Sequence, residues 1–155
     1  MDLSPPHLHL LLNHVPVLGP FFLALLLTIG LLRRSRELQR LALALTVLLP
    51  VATYGVQLTG ESAEHFLEEQ TWYDDDLVHE HEERAEAALV ATIVTGVLAL
   101  VGLFASRKQA PLKPAMSLVV LLAILVSATM IALTALDGGV IRHDELRPVV
   151  ETLDV

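Results

Sequence analysis

At 155 residues, with 54% hydrophobic content and a mean hydropathy of +0.60, the chain is too apolar for an ordinary soluble domain and fits a single four-helix membrane unit with no second domain. Zero cysteines exclude disulfides, iron–sulfur ligation, thiolate zinc sites and covalent c-type haem attachment. The net charge of -8 belongs to one face of the membrane and gives no support to nucleic-acid binding.

The opening MDLSPPHLHLLLNHVP lacks the positively charged start of a cleavable signal and runs into a full-length apolar segment, so it reads as a retained first helix over about residues 8–32. His7 and His14 are spaced to share one face of that helix, roughly 10 Å apart along its axis. His9, Asn13, Pro16 and Pro20 line a neighbouring face, where the prolines free backbone carbonyls. His14 is the deepest histidine of the helix, and with Asn13 it needs a polar partner inside the apolar segment.

A turn carrying Arg33, Arg34, Arg36 and Arg40 leads to the second helix, expected over about 41–60. One of its faces reads Tyr54, Gln57, Glu61 and His65, and another reads Ala52, Gly55, Thr59 and Ala63. An acidic loop over 61–83 follows, in which Phe66, Trp72 and Tyr73 suit the membrane interface. Helix two is expected to run past the bilayer into this segment, and helix three to begin before the bilayer, near Asp74.

On the third helix, about 76–105, His81, Ala85, Ala88, Thr92 and Gly96 fall at three- and four-residue steps. That small-residue stripe permits close helix approach or leaves room for a flat cofactor. His79 aligns instead with Glu82, Glu83 and Glu86 on a face that reads as solvated. Arg107, Lys108 and Lys113 mark a second basic turn, Pro111 and Pro114 end the third helix and open the fourth, and Gly138 and Gly139 end the fourth after about residues 115–136. A tail over 137–155 could fold back with Arg142, His143 and Glu145 as a lid.

Seven of the ten basic residues lie in the two short turns, which the positive-inside rule assigns to the cytoplasm. Both termini, the acidic loop and all seven histidines then share the periplasmic side. The expected fold class is an all-α integral membrane four-helix bundle.

Three functions suit a histidine cluster at one membrane face. The first is b-type haem for electron transfer, with His14 paired to His81 or His143, with Arg84 and Arg142 as propionate partners, and with a periplasmic carrier or a quinol as redox partner. It could operate within a larger membrane complex. The second is a non-haem iron, copper or zinc site drawing on His14, His81, His143, His65, Glu61 and Glu82. Spacing also offers His79 with Glu82, and His143 with Glu145. The third is a cofactor-free accessory subunit whose acidic loop docks a basic partner. Ser62 near His65 lacks an oxyanion-hole motif, no phosphate-binding glycine loop is present, and no charged residue lies at the bilayer midplane to mark a transport path.

The segments HLHLLLNHVP, TGESAEH, the pair His81 and Glu82, and GGVIRHDELR together resemble an uncharacterised family of small bacterial four-helix membrane proteins with an HLHxxxNHxP opening and a GGxIRHxE closing motif. The resemblance implies four helices in a bacterial inner membrane and a site containing His7, His9, His14, His81 and His143. It implies no activity, and the WYDDD segment falls outside it.

Overall fold

The computed structural model describes residues 3–106 and 112–147, except the side chain of Asp144. Arg107, Lys108 and Pro111 of the second basic turn, and the tail from residue 148 onward, lie outside the described residues. The helices are α1 (Pro5–Leu12), α2 (His14–Leu32), α3 (Arg36–Leu67), α4 (Asp75–Ala105) and α5 (Pro114–Arg142), followed by a 3-10 turn at Asp144–Leu146. Together α1 and α2 form one span, and with α3, α4 and α5 they make four helices long and apolar enough to cross a membrane.

The junction at Asn13 has a local cause. Pro16 carries no N–H for the carbonyl of Leu12, so one rung of the ladder is missing just past Asn13. Asn13 itself stays right-handed at φ -61 and ψ -22, and its N–H bonds the carbonyl of His9. The two pieces therefore act as one rod.

Helix α3 has 32 residues, which at 1.5 Å each is roughly 48 Å, against about 30 Å of hydrocarbon. Helix α4, at 31 residues, is nearly as long. Both start or end close to the basic turns, so the excess projects from the histidine-bearing end. The expected acidic loop over 61–83 is accordingly mostly helix, and the connection shortens to residues 68–74. Asp74 caps α4 by accepting from the Leu77 N–H at 3.3 Å, and Asp75 and Asp76 follow in the positive first turn. At the other end, Ser35 caps α3 through the Leu38 N–H, which moves its start back to Arg36.

The expected stop at Gly138 and Gly139 is also corrected, because α5 runs through both to Arg142. A Cβ at Gly138 would lie 3.1 Å from His81 Cε1. Gly138 is therefore a packing glycine inside a helix rather than a terminator. Beyond α5, Arg147 donates to the carbonyls of Val140 and Ile141 and pairs with Asp74 at 3.8 Å. The described tail is thus fastened both to the end of its own helix and to the start of α4.

The core is built from Leu27, Ala42, Leu43, Ala99, Val120 and Ile124, all fully buried. Lipid tails are as apolar as leucine, so close approach and polar pairing must hold such helices together. The stripe Ala88, Thr92, Gly96 on α4 faces inward and is buried. A Cβ at Gly96 would stand 3.0 Å from Pro50 Cγ of α3. Between α4 and α5, the hydroxyls of Thr95 and Ser127 bond at 2.9 Å, a contact worth about 0.6–2 kcal/mol in this setting. Leu18, Phe22, Leu48, Val101 and Leu122 point outward and are exposed, giving the bundle the apolar belt that lipid requires.

Candidate functional site

All four spans contribute to a cavity of about 80 Å³ at the histidine-bearing end. Its lining includes His9, Asn13 and Pro16 from α1 and α2, Thr53, Val56 and Gln57 from α3, His81, Ala85 and Ala88 from α4, and Ile131, Thr134 and Ala135 from α5. Val56 and Gln57 lie about 20 residues into α3, and Ala85 lies 20 residues before the end of α4. The cavity therefore lies about 30 Å, one hydrocarbon thickness, from the ends of α3 and α4 that adjoin the basic turns.

Two imidazoles define it. His81 Nδ1 is 2.9 Å from the carbonyl of Thr134 on α5. His9 Nδ1 is 3.2 Å from the carbonyl of Val56 and 3.1 Å from Thr59 Oγ1 on α3. A carbonyl can only accept, so each Nδ1 carries a proton, and in the neutral ring each Nε2 keeps its lone pair. Tying one ring nitrogen to a carbonyl is how proteins orient a metal-binding histidine and fix its tautomer. Each ring also rests on a helical glycine of the next span: Gly60 would place a Cβ 3.3 Å from His9 Cε1, and Gly138 one 3.1 Å from His81 Cε1.

A third acceptor shares the cavity. Gln57 Oε1 is buried with no hydrogen-bond partner among the described residues. A buried carbonyl oxygen in this state lacks about 1–3 kcal/mol of compensation. His9, His81 and Gln57 share that lining with a second carboxamide, that of Asn13.

The remaining histidines lie elsewhere. His14 is exposed on the outside of α2, with Nδ1 on the carbonyl of Leu10 at 2.8 Å, which corrects the expectation that it looks into the bundle. Five residues separate it from His9, a rotation of about 140° round the helix, so the two cannot face the same way. Its partner is its own helix backbone. His7 bonds Ser4 Oγ at 2.7 Å and is exposed. His65 lies near Glu68, His79 near Glu83 and His143 near Glu145, all on the surface.

The proposed carboxylates and arginines also have other company. Glu61 is exposed, and Glu82 lies beside Glu64 and outside the cavity. Among the described residues no three of His, Asp and Glu gather at one point, so the mixed His/Glu ligand set is not assembled there. Arg84 reaches both oxygens of Asp137 at 2.6 and 2.7 Å and Glu80 at 2.8 Å. Arg142 lies over the Trp72 ring, 4.7 Å from its centroid, a cation–π contact. Neither arginine lines the cavity. The chain matches no protein-family model, no curated protein and no solved structure.

In the connection between α3 and α4, Tyr73 donates to Glu64 at 3.4 Å. Partial burial and the carboxylates of Glu64, Asp75 and Glu68 push its phenol up to about 12. At the end of α5, the backbone amide of Glu145 and the His143 ring hold the Glu145 carboxyl below its usual range. Both groups stabilise the outer rim and stand apart from the imidazole pair.

Sequence reasoning missed Gln57 as a site group and missed both glycines. The signal for Gly60 and Gly138 was present as small residues near histidines of other helices, but which ring meets which glycine depends on how the helices are rotated. His9 shares its face with Asn13 and Pro16, and that shared face was the better pointer than depth in the apolar segment.

Proposed function

We propose that the protein is a membrane metal-binding protein that holds a transition-metal ion between His9 and His81 at the periplasmic boundary of the bilayer. The observation that carries this reading is the pair of Nδ1-to-carbonyl hydrogen bonds, 2.9 Å at His81 and 3.2 Å at His9, made by two imidazoles that line one cavity and leaving Nε2 of each as the nitrogen free to ligate. Imidazole nitrogen suits copper, iron, zinc and nickel alike. The cavity volume of about 80 Å³ accommodates an ion with a few waters, since liquid water takes about 30 Å³ per molecule.

Haem b matches this donor set, and the apolar lining with Ala85 and Ala88 favours it as the second reading. It does not match the space, because pockets for organic ligands run about 300–1,000 Å³. The expected propionate partners Arg84 and Arg142 are also engaged elsewhere. The ion therefore takes precedence over haem, and the axial pair proposed from His14 gives way to His9 with His81.

Topology follows the basic turns, with both ends of the chain and the cavity on the periplasmic side of a bacterial inner membrane. Since the chain has no cysteine, single cysteines report it directly. In intact cells Glu69→Cys should react with a membrane-impermeant maleimide and Arg33→Cys should not; the reverse pattern would invert the orientation.

The function is tested by metal analysis and a visible spectrum on the chain purified in mild detergent. One metal per chain without a Soret band is the expected result. A Soret band with sharp reduced α-bands would replace the ion with haem b and restore the electron-transfer role, with a periplasmic carrier or quinol as partner. A colourless, metal-free protein that takes up no added metal would overturn the metal reading and leave an accessory subunit of a membrane complex.

A further inference from the structure

We infer that the basic end of the bundle binds the phosphodiester headgroup of an anionic phospholipid, with Arg36 and Arg40 as its ligands. This stands apart from the metal reading of the histidine end and needs only that the four apolar spans lie in a membrane.

Charge comes first. Arg33, Arg34, Arg36, Arg40 and Lys113 are exposed at this end, and Glu37 is the single carboxylate of the two basic turns. None of the five cations enters an ion pair among the described residues, whereas Arg84 and Arg147 at the opposite end are held by carboxylates. A cytoplasmic placement calls for basic residues in the turns, but it does not require that they stay unpaired. Arg34 also occupies the left-handed position that closes α2, at φ 52 with the Ser35 N–H on the Gly30 carbonyl at 2.9 Å, a place that glycine usually fills.

Geometry narrows the patch to two side chains. Arg36 and Arg40 are one turn apart on α3 and line the same cleft with Gln39, Leu43, Ser106 and Leu112. Arg40 uses only Nη1 within the protein, on the Ser106 carbonyl and hydroxyl at 3.3 and 3.2 Å. That anchor orients the guanidinium and leaves Nε and Nη2 without a partner among the described residues, where the Arg36 side chain has none either. Arginine takes phosphate oxygens through paired N–H donors. The cleft itself holds about 10 Å³, too little to admit a phosphate, so the headgroup lies across its mouth.

Depth selects a lipid over a soluble anion. Arg40 is the fifth residue of α3, roughly 6 Å along the helix from Arg36. The next residue, Leu41, and Phe104, two before Ser106, are exposed apolar side chains. Acyl chains therefore reach the level of the guanidinium, and the acceptor at that level is a lipid phosphate. Basic pockets between membrane helices take anionic headgroups in this way. A zwitterionic headgroup would bring its ammonium group against five unpaired cations.

The test is native mass spectrometry of the full chain, delipidated in a mild nonionic detergent and titrated with phosphatidylglycerol, phosphatidylcholine or inorganic phosphate. Phosphatidylglycerol should bind about tenfold more tightly than phosphatidylcholine, and Arg36→Gln should lower its affinity about fivefold. Arg36 has no side-chain partner to lose, so helicity should be unchanged and this variant decides even where a change at Arg40 disturbs the Ser106 contact. Arg40→Lys keeps the charge without the planar fork and should also weaken binding, whereas Arg142→Gln, at the opposite end, should leave it unchanged. Equal affinity for the two lipids, inorganic phosphate bound as tightly as phosphatidylglycerol, or a loss no larger in Arg36→Gln than in Arg142→Gln would overturn the inference.

Discussion

At the basic end of the bundle, Gln39 Nε2 donates to the carbonyl of Gly30 at 3.0 Å, and Arg40 reaches both the carbonyl and the hydroxyl of Ser106 at 3.3 and 3.2 Å. The space left among them is about 10 Å³. At the histidine end four spans line a cavity of about 80 Å³, in which the Gln57 Oε1 is buried without a partner among the described residues. Buried polar groups in native structures are nearly always paired. An end whose polar groups are closed by one another is a joint, whereas an end that leaves a buried oxygen unpaired beside two imidazoles has space for a guest.

The comparison breaks most sharply at the imidazoles. His9→Ala or His81→Ala should lower bound metal from about one equivalent to none, whereas His14→Ala, exposed on the outside of α2, should leave the full complement. Metal content after identical purification decides it, and retention in both cavity variants would end the distinction between the two ends.

Next in size is Gly138→Ala, whose Cβ would stand 3.1 Å from His81 Cε1. The ring must shift, its bond to the Thr134 carbonyl weakens, and metal affinity should fall about 10- to 100-fold. Helicity should stay unchanged. An unaltered affinity would show that the fit of the ring against α5 does not set its orientation.

The joint should respond in stability instead. Gln39→Leu removes one of two donors from the Gly30 carbonyl, which keeps the Ser35 N–H at 2.9 Å, and should cost about 0.5–1.5 kcal/mol, read from unfolding in detergent, with metal content untouched. A fall in metal content would couple the two ends and erase the division between them.

The smallest effect is in the rim around Tyr73. Its folded pKa of about 12 lies above the usual phenol value of about 10, so its contribution to stability is fully present below pH 10. That contribution is lost as pH rises through the interval between the two values. Phenolate absorbance should therefore appear near pH 12 for Tyr73 and near pH 10 in the denatured chain. Titration at the ordinary value in the folded protein would remove the Glu64 contact from the rim.

Much of the architecture is legible in residue order, because an apolar run of about 20 residues has few alternatives to a membrane-crossing helix. Its ends were less legible. Gly138 and Gly139 look like a stop signal, yet α5 continues through them, since glycine serves a close contact as readily as a terminus. The acidic segment after Gly60 looked like loop, but its residues also suit helix, and the Asp74 cap claims the last of them for α4.

The site divides in the same manner. His81 and its small-residue stripe follow from helical spacing alone, and so does the opposition of His9 to His14. Spacing gives the angle between two residues on one helix; it does not say which angle faces the neighbours. Composition and charge pattern determine that this chain makes four apolar helices, with its basic residues concentrated in two turns and its histidines near the opposite ends. Only the tertiary structure decides that His9 rather than His14 joins His81, and that Gln57 is the oxygen left without a donor. The reason is that each helix's rotation is set by long-range packing, such as Gly96 on Pro50, Gly60 on His9 and Gly138 on His81, between residues that local sequence does not connect.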